Sequence, residues 1–378
     1  MPGNSAETGG AWLKLLHVAV DGSGLARPWA GVGTYTTEIL RALAQERPGS
    51  RFTVFTPAEP PFEQAAIAFR RPPATRLIGR HLLWPARLRR LHADLYFGPA
   101  GLLPLGDVGM PAVLTVHDVA IYRHPEWFPS RQTLSVRLVV PRSLRRAAAL
   151  VAVSACTARD VVDLFGIEPG RIDVVPEGVS TRFRPLTGDR LEAVRLRYRL
   201  PPRFVLFVST IEPRKNLPIL LDAWSRMRER PPLVVAGAWG WRHDEVRAQM
   251  EGLGADLRVL GPVPPEDLPG LYNLATCLAH PAWYEGFGLT PLEAMACGAP
   301  VVASSAASLP EVVGDAGLLV DPGDVEGWTE ALERACGDPD LAATLRRRGI
   351  LRAAEFGWGR AAQRTWRLVD RVLRAAPA

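Results

Sequence analysis

Between Cys277 and Ala303 the chain reads as strand, glycine turn, helix and strand. Cys277-Leu278-Ala279-His280 is a short apolar run, and Pro300-Val301-Val302-Ala303 is another. Thr290 is the expected N-cap and Pro291 the expected first helical residue, and Leu292 to Ala296 continue as good helix formers. Short apolar strands joined by a helix belong to a parallel sheet, whose ligands sit beyond the carboxyl ends of its strands. At that end lie Glu285, Gly286, Phe287, Gly288 and Leu289, just ahead of the helix. The free N–H groups and positive dipole end of the helix suit an anion. Glu285 and Glu293 flank the turn. Thr290-x-x-Glu293 also fits a capping box, in which Glu293 only returns a hydrogen bond to the Thr290 N–H. From these residues alone both readings stay open.

The same alternation runs through the chain. Strands are expected at Leu15–Val20, Arg51–Thr56, Asp94–Gly98, Ala112–Val116, Leu150–Ser154 and Ile172–Val175, then at Phe204–Val208, Leu233–Ala236 and Leu257–Leu260. A helix is expected from about Val32 to Gln45, and helical structure from Asp324 onward, ending in an amphipathic stretch from Trp358 to Leu373. Pro185 to Arg190 is the best linker. A chain of 378 residues, 47% apolar and 22% charged, is a packed globular protein of two domains. No apolar run is long enough to span a bilayer. The first twelve residues lack the basic and apolar parts of a signal peptide and read as a loose tail. Cys156, Cys277, Cys297 and Cys336 lack metal-ligand spacing and read as small buried hydrophobes in a reducing compartment.

Several places carry chemistry. The loop after the first strand holds Gly22 and Gly24, and Gly31 and Gly33 open the helix behind it, an arrangement that suits phosphate. His117-Asp118 ends the Ala112–Val116 strand. His117 is either a packed core histidine or a functional one, with Asp118 orienting its other ring nitrogen. Only two of the 45 basic residues are lysines, Lys14 and Lys215, so Lys215 marks a place where an ammonium is wanted. Arg214 and Lys215 stand at a strand-to-helix turn and would cradle a diphosphate. The net charge is +6, yet no zinc pattern, RNA module or aromatic stacking motif points to nucleic acid. Two runs, Gln64 to Ala93 and Trp127 to Arg159, contain no acid. The first combines Arg70, Arg71, Arg76, Arg80, Arg87, Arg89 and Arg90 with exposed-looking Trp84, Phe69 and Leu82; the second carries Arg131, Arg137, Arg142, Arg145 and Arg146. They form a solvated basic face or a patch for anionic lipid. Asp338-Pro339-Asp340 reads as a helix start and not as a metal motif.

The Glu285 to Glu293 stretch resembles the Glu-x7-Glu signature of family 4 glycosyltransferases, and the likeness extends to motifs over nearly the whole chain. It implies the α/β GT-B fold: two Rossmann-like parallel-sheet domains facing a central cleft. After the tail at 1–12, residues 13–185 would bind the acceptor and 186–357 the nucleotide sugar, with 358–378 crossing back onto the first domain. The resemblance implies that Glu285 contacts the donor sugar and Glu293 the ribose hydroxyls, and that Arg214 and Lys215 hold the diphosphate. Gly31 and Gly33 would approach the phosphates from the first domain, Gly286, Phe287, Gly288 and Leu289 would complete the donor loop, and His117 would border the gap between donor and acceptor. Some members carry a further arginine near the position of Thr210, which this chain lacks. The implied activity is retaining hexosyl transfer from a nucleotide-diphosphate sugar to a glycan or lipid-linked acceptor, without metal or cofactor. The local wording is similar to that of bacterial mannosyltransferases of surface-polysaccharide assembly. A cytoplasmic protein, peripheral on the inner face of the cell membrane, is expected, with no nucleic-acid partner. A sugar-nucleotide epimerase of the same fold and a non-catalytic nucleotide-sugar-binding subunit are the alternatives.

Overall fold

A computed structural model describes residues 15–27, 31–72, 77–129 and 133–375. The expected tail, Arg76 and Arg131 lie outside them. The described chain contains two wholly parallel sheets. The first is built from β1 (His17–Asp21), β2 (Arg51–Phe55), β3 (Ile67–Arg70), β4 (Leu95–Gly98), β5 (Ala112–Val116), β6 (Ala149–Ala152) and β7 (Ile172–Val174), in the order β3-β2-β1-β4-β5-β6-β7. The second is built from β8 (Val205–Val208), β9 (Leu233–Ala236), β10 (Leu257–Gly261), β11 (Cys277–His280), β12 (Val301–Ser304) and β13 (Leu318–Val320), in the order β10-β9-β8-β11-β12-β13. Central strands such as Val205–Val208 and Cys277–His280 are apolar and buried, because helices cover both faces of such a sheet. In each sheet the strand order reverses beside the first strand, at β1/β4 and at β8/β11. That reversal opens a crevice at the carboxyl ends of those strands.

The helix Trp358–Ala375 leaves the second half and packs on the helix Gly31–Glu46. Arg47 forks onto Asp370 at 2.9 and 2.6 Å, its guanidinium lies over the Trp366 ring, and the Trp366 indole donates to the Leu43 carbonyl.

Three local expectations need correction. Trp84 is buried, not exposed: it packs edge-on against Phe55 and Tyr96 beneath the helix Leu77–Arg89, and Leu83 is the residue that faces outward. Phe69 is half-buried against Phe62, and the side chain of Leu82 lies outside the described residues. Arg146 lies along the loop after β4, donating to the carbonyls of Pro104, Leu105 and Gly106, so it is a structural tie and not part of a free basic face. At Asp338 the expected helix start is found: its carboxylate accepts from the Asp340 and Leu341 N–H groups, and Pro339 opens the helix.

Candidate active site

The carboxyl ends of β8 and β11 bring Arg214, Lys215 and Glu285 together. β8 runs out into a single 3₁₀ turn, Pro213–Lys215, and Asn216 in the left-handed region turns the chain into the helix Leu217–Arg226. Arg214 donates from Nε to Glu212 at 2.6 Å and from Nη1 to Glu285 at 3.2 Å. The Lys215 ammonium is in close contact with Glu285 Oε1, and His280, the last residue of β11, meets the same oxygen at 2.9 Å. All four side chains are largely buried. Burial alone would drive the Glu285 carboxyl upward, but Lys215, Arg214 and the His280 hydrogen bond hold it well below the usual carboxylate range. The His280 ring is pushed down, chiefly by burial, with the two cations adding to it.

The turn after Glu285 is where the two halves touch. A Cβ on Gly286 would lie 1.7 Å from the His117 carbonyl oxygen, so only glycine lets the loop seat there. The Gly286 carbonyl accepts from Ser154 Oγ at 2.7 Å and Thr157 Oγ1 at 3.1 Å, at the start of the helix Ala155–Phe165. Glu311 caps that helix across the cleft, accepting from the Ala155 and Cys156 N–H groups. The Tyr284 hydroxyl donates to Asp160 on the same helix. Gly286→Ala is expected to lower turnover by on the order of a hundredfold, because backbone must shift by an ångström or more at the point where the halves meet. A steady-state assay checks this, and near-normal turnover would mean the contact is dispensable.

The helix beyond the turn starts at Leu289, with Gly288 at φ +120° as its cap residue and no side-chain cap. Thr290 therefore sits inside the helix and Pro291 is its third residue, which overturns the capping-box reading of Glu293. Glu293 is buried and accepts from the Tyr272 hydroxyl at 3.1 Å. Burial pushes its carboxyl up to about 7, with Glu177 adding to the rise and Arg182 and Tyr272 opposing it.

Across the cleft, His117 directly follows β5. Asp118 does not orient it. Asp118 instead accepts from the Ala120 N–H in a local turn, while the His117 ring lies between Glu177 and the Pro99 carbonyl. Tyr35, on the helix that starts at Gly31, packs edge-on against His117 at 4.7 Å and brings that helix's first turn toward the same strand end. Gly31 is exposed with open space around it, whereas Gly33 is buried. Phe287 packs inward against Phe356. Glu177, His280, Glu212 and Glu311 escaped the reading from sequence. Of these, His280, at a strand end five positions before Glu285, and Glu212, two positions before Arg214, offered local signals.

Two family models divide the chain. Glycosyltransferase Family 4 matches residues 29–183, and Glycosyl transferases group 1 matches residues 193–352. O-antigen chain mannosyltransferase B of Escherichia coli is 33% identical over 360 residues, covering 88% of this chain and 93% of that protein. The chain belongs to glycosyltransferase family 4. The family's curated relatives also include D-inositol 3-phosphate glycosyltransferase of Salinispora arenicola, 34% identical over 70% of this chain and 64% of that one. The serotype-specific mannosyltransferase WbdA of Escherichia coli is 31% identical over 72% of this chain, which matches only 34% of WbdA. Among solved structures, Anabaena Alr3699/HepE in complex with UDP and glucose superposes with a TM-score of 0.77 at 21% identity, over 95% of this chain and all of that one. WaaG, a glycosyltransferase of lipopolysaccharide biosynthesis, gives 0.73 at 18%, over 95% and 99%. These neighbours establish the fold of this family 4 hexosyltransferase as GT-B.

Proposed function

We propose that this glycosyltransferase moves mannose from a nucleotide-diphosphate sugar to a glycan or lipid-linked acceptor, with retention at the anomeric carbon and without a metal. The observation that supports it most is the joining of Arg214, Lys215 and Glu285 at adjacent strand ends. On this reading the two cations neutralise the departing diphosphate, the charge that a divalent ion supplies in other transferases. Glu285, held ionised between them, lies against the donor sugar. Glu293 accepts from the ribose hydroxyls, and Gly286, Gly288 and the first turn at Leu289 line the loop. Gly31 and Gly33 approach the phosphates from the first half, and His117 borders the sugar. Mannose is supported by the names of the Escherichia coli relatives.

Thermal shift over a panel of nucleotide sugars tests the donor. The cognate one at 100 times its dissociation constant should add about 2.7 kcal/mol of stability. It should also be slowly hydrolysed without acceptor, and chelation of divalent ions should leave turnover unchanged. Binding without hydrolysis would favour the non-catalytic alternative, and epimerised donor the other.

We further propose that the first half rests on anionic membrane. Among the described residues no helix is long and apolar enough to cross a membrane. Arg70, Arg87 and Arg90 line a groove of about 610 Å³ together with Phe55, Leu83 and Leu91, and Leu83 is 61% exposed. Arginine stems lie along apolar surface while their heads meet lipid phosphates. The protein should sediment with anionic liposomes more than with neutral ones, and less as salt shortens the Debye length from about 10 Å at 0.1 M to about 3 Å at 1 M. Changing Arg87, Arg89 and Arg90 together to Glu should abolish this. Equal partitioning onto both liposomes would instead point to an ordinary solvated surface and a soluble acceptor.

A further inference from the structure

Both ring nitrogens of His117 face oxygen acceptors. Nε2 lies 2.7 Å from the Pro99 carbonyl, which has no proton to give, so Nε2 carries one. Nδ1 lies 3.0 Å from Glu177 Oε1. The pair is therefore either an imidazolium beside a carboxylate or a neutral imidazole beside a carboxylic acid. The surroundings select the first. Asp118 adds negative charge from the neighbouring position, and although burial works against the cation, the Glu177 bond and the two carboxylates together lift the ring above its ordinary value.

The site is built around this pair. Glu177 is 3% exposed, and it lies just past β7, where the Val175 N–H still donates to Ala152. Gly178 then lets the start of the C-terminal helix close in, since a Cβ there would lie 2.4 Å from the Trp358 nitrogen. Tyr35 completes the enclosure: its hydroxyl is fixed by Thr115 at 3.0 Å and its ring stands at 83° to the imidazole. The His117 backbone carbonyl meanwhile carries the Gly286 turn and accepts from Thr157.

We infer that Glu177 is the positioning residue of His117, holding its ring as a cation with a fixed N–H at each end, so that this strand end presents a fixed imidazolium–carboxylate pair and not a proton acceptor. Its bearing on catalysis rests on the reading of the cleft as the donor site. With neither ring nitrogen holding a free lone pair, His117 cannot take the acceptor's proton; its service is electrostatic and steric. The same carboxylate acts through space on Glu293, so one buried charge influences both halves of the cleft.

The test compares the full-length protein with Glu177→Gln and Glu177→Leu, reading the histidine ring nitrogens by long-range proton–nitrogen NMR, with His117→Gln assigning the signals among the seven histidines. In the wild type, His117 should show both nitrogens protonated at pH 7. In Glu177→Gln, which keeps an acceptor and loses the charge, the ring should be neutral with its proton on Nε2. Its titration should move down by about one pH unit or more, a factor of ten in proton affinity. Turnover should fall about tenfold or more with donor KM within about twofold, a split that general loosening of the fold does not produce. A neutral His117 in the wild type at pH 7, or an unshifted titration in Glu177→Gln, overturns the inference; the wild-type reading decides it if the variants do not fold. A shifted titration with unchanged turnover also overturns it. Failure of the wild type to bind any nucleotide sugar would overturn the reading of the cleft instead, while the ring titration still judges the pair.

Discussion

Lys215→Ala is expected to lower turnover by about a hundredfold or more, the usual consequence of deleting a charge aimed at a developing anion. The residue is 9% exposed and its ammonium meets Glu285, so the loss is felt twice. On the proposed reading the leaving diphosphate is left with Arg214 alone, and Glu285 loses its closest counter-charge. Lys215→Arg should be impaired as well. A planar guanidinium is bulkier than an ammonium and needs a fork-shaped partner, whereas Glu285 Oε1 already serves Lys215 and His280 together. Arg214→Ala should show a comparable loss, since Arg214 ties Glu285 to Glu212 and no arginine stands at position 210 to replace it. Steady-state rates and melting temperatures measured side by side separate chemistry from folding. A fully active Lys215→Arg would show that the site wants only positive charge there.

The second large effect concerns stability. At pH 8, Glu293→Gln is expected to melt higher than the wild type while binding the donor nucleotide more weakly. Burial raises the Glu293 carboxyl from its ordinary 4.5 to about 7. Between those values the folded protein keeps a proton that the unfolded chain has released, so wild-type stability falls as pH rises through that window, by about 3 kcal/mol in all, and no further above it. Glutamine has no charge to bury and still accepts from Tyr272, so its stability should stay level across the same range. For a vicinal diol the amide offers one acceptor where a carboxylate offers two, hence the weaker binding. Melting curves from pH 5 to 8 check the first half and nucleotide titration the second. Parallel melting curves for the two proteins would mean that Glu293 ionises at an ordinary pH. Unchanged affinity would reduce it to a packing partner of Tyr272.

What could be read from sequence was local. Short apolar strands with glycine turns gave away both parallel sheets, and the rarity of lysine singled out Lys215. β3 and β13 escaped, because edge strands of four and three residues with alternating or partial exposure carry little apolar signal, and β3 lies within an arginine-rich run. Thr290 was misplaced for a related reason: its pattern fits a cap, but Gly288 at positive φ starts the helix sooner. Two of the site residues that escaped, Glu177 and Glu311, owe their places to distant parts of the chain. Glu177 lies 60 positions from His117, and Glu311 lies 156 from Ala155. No spacing rule relates such pairs until the sheets are assembled.

The helix Trp358–Ala375 has a consequence for the order in which the protein can be made. Trp366 reaches Leu43, and Asp370 reaches Arg47, each 323 positions earlier. At translation speeds of about 5 to 20 residues per second, the face of the Gly31–Glu46 helix waits roughly 15 to 65 seconds for its cover. Once β7 has been made, the first sheet is complete in strands but bare along one helix, and the Leu43 carbonyl and the Phe52 ring that borders Trp366 lack their cover until the last helix arrives. The half synthesised first is thus finished last, by residues from the far end of the chain.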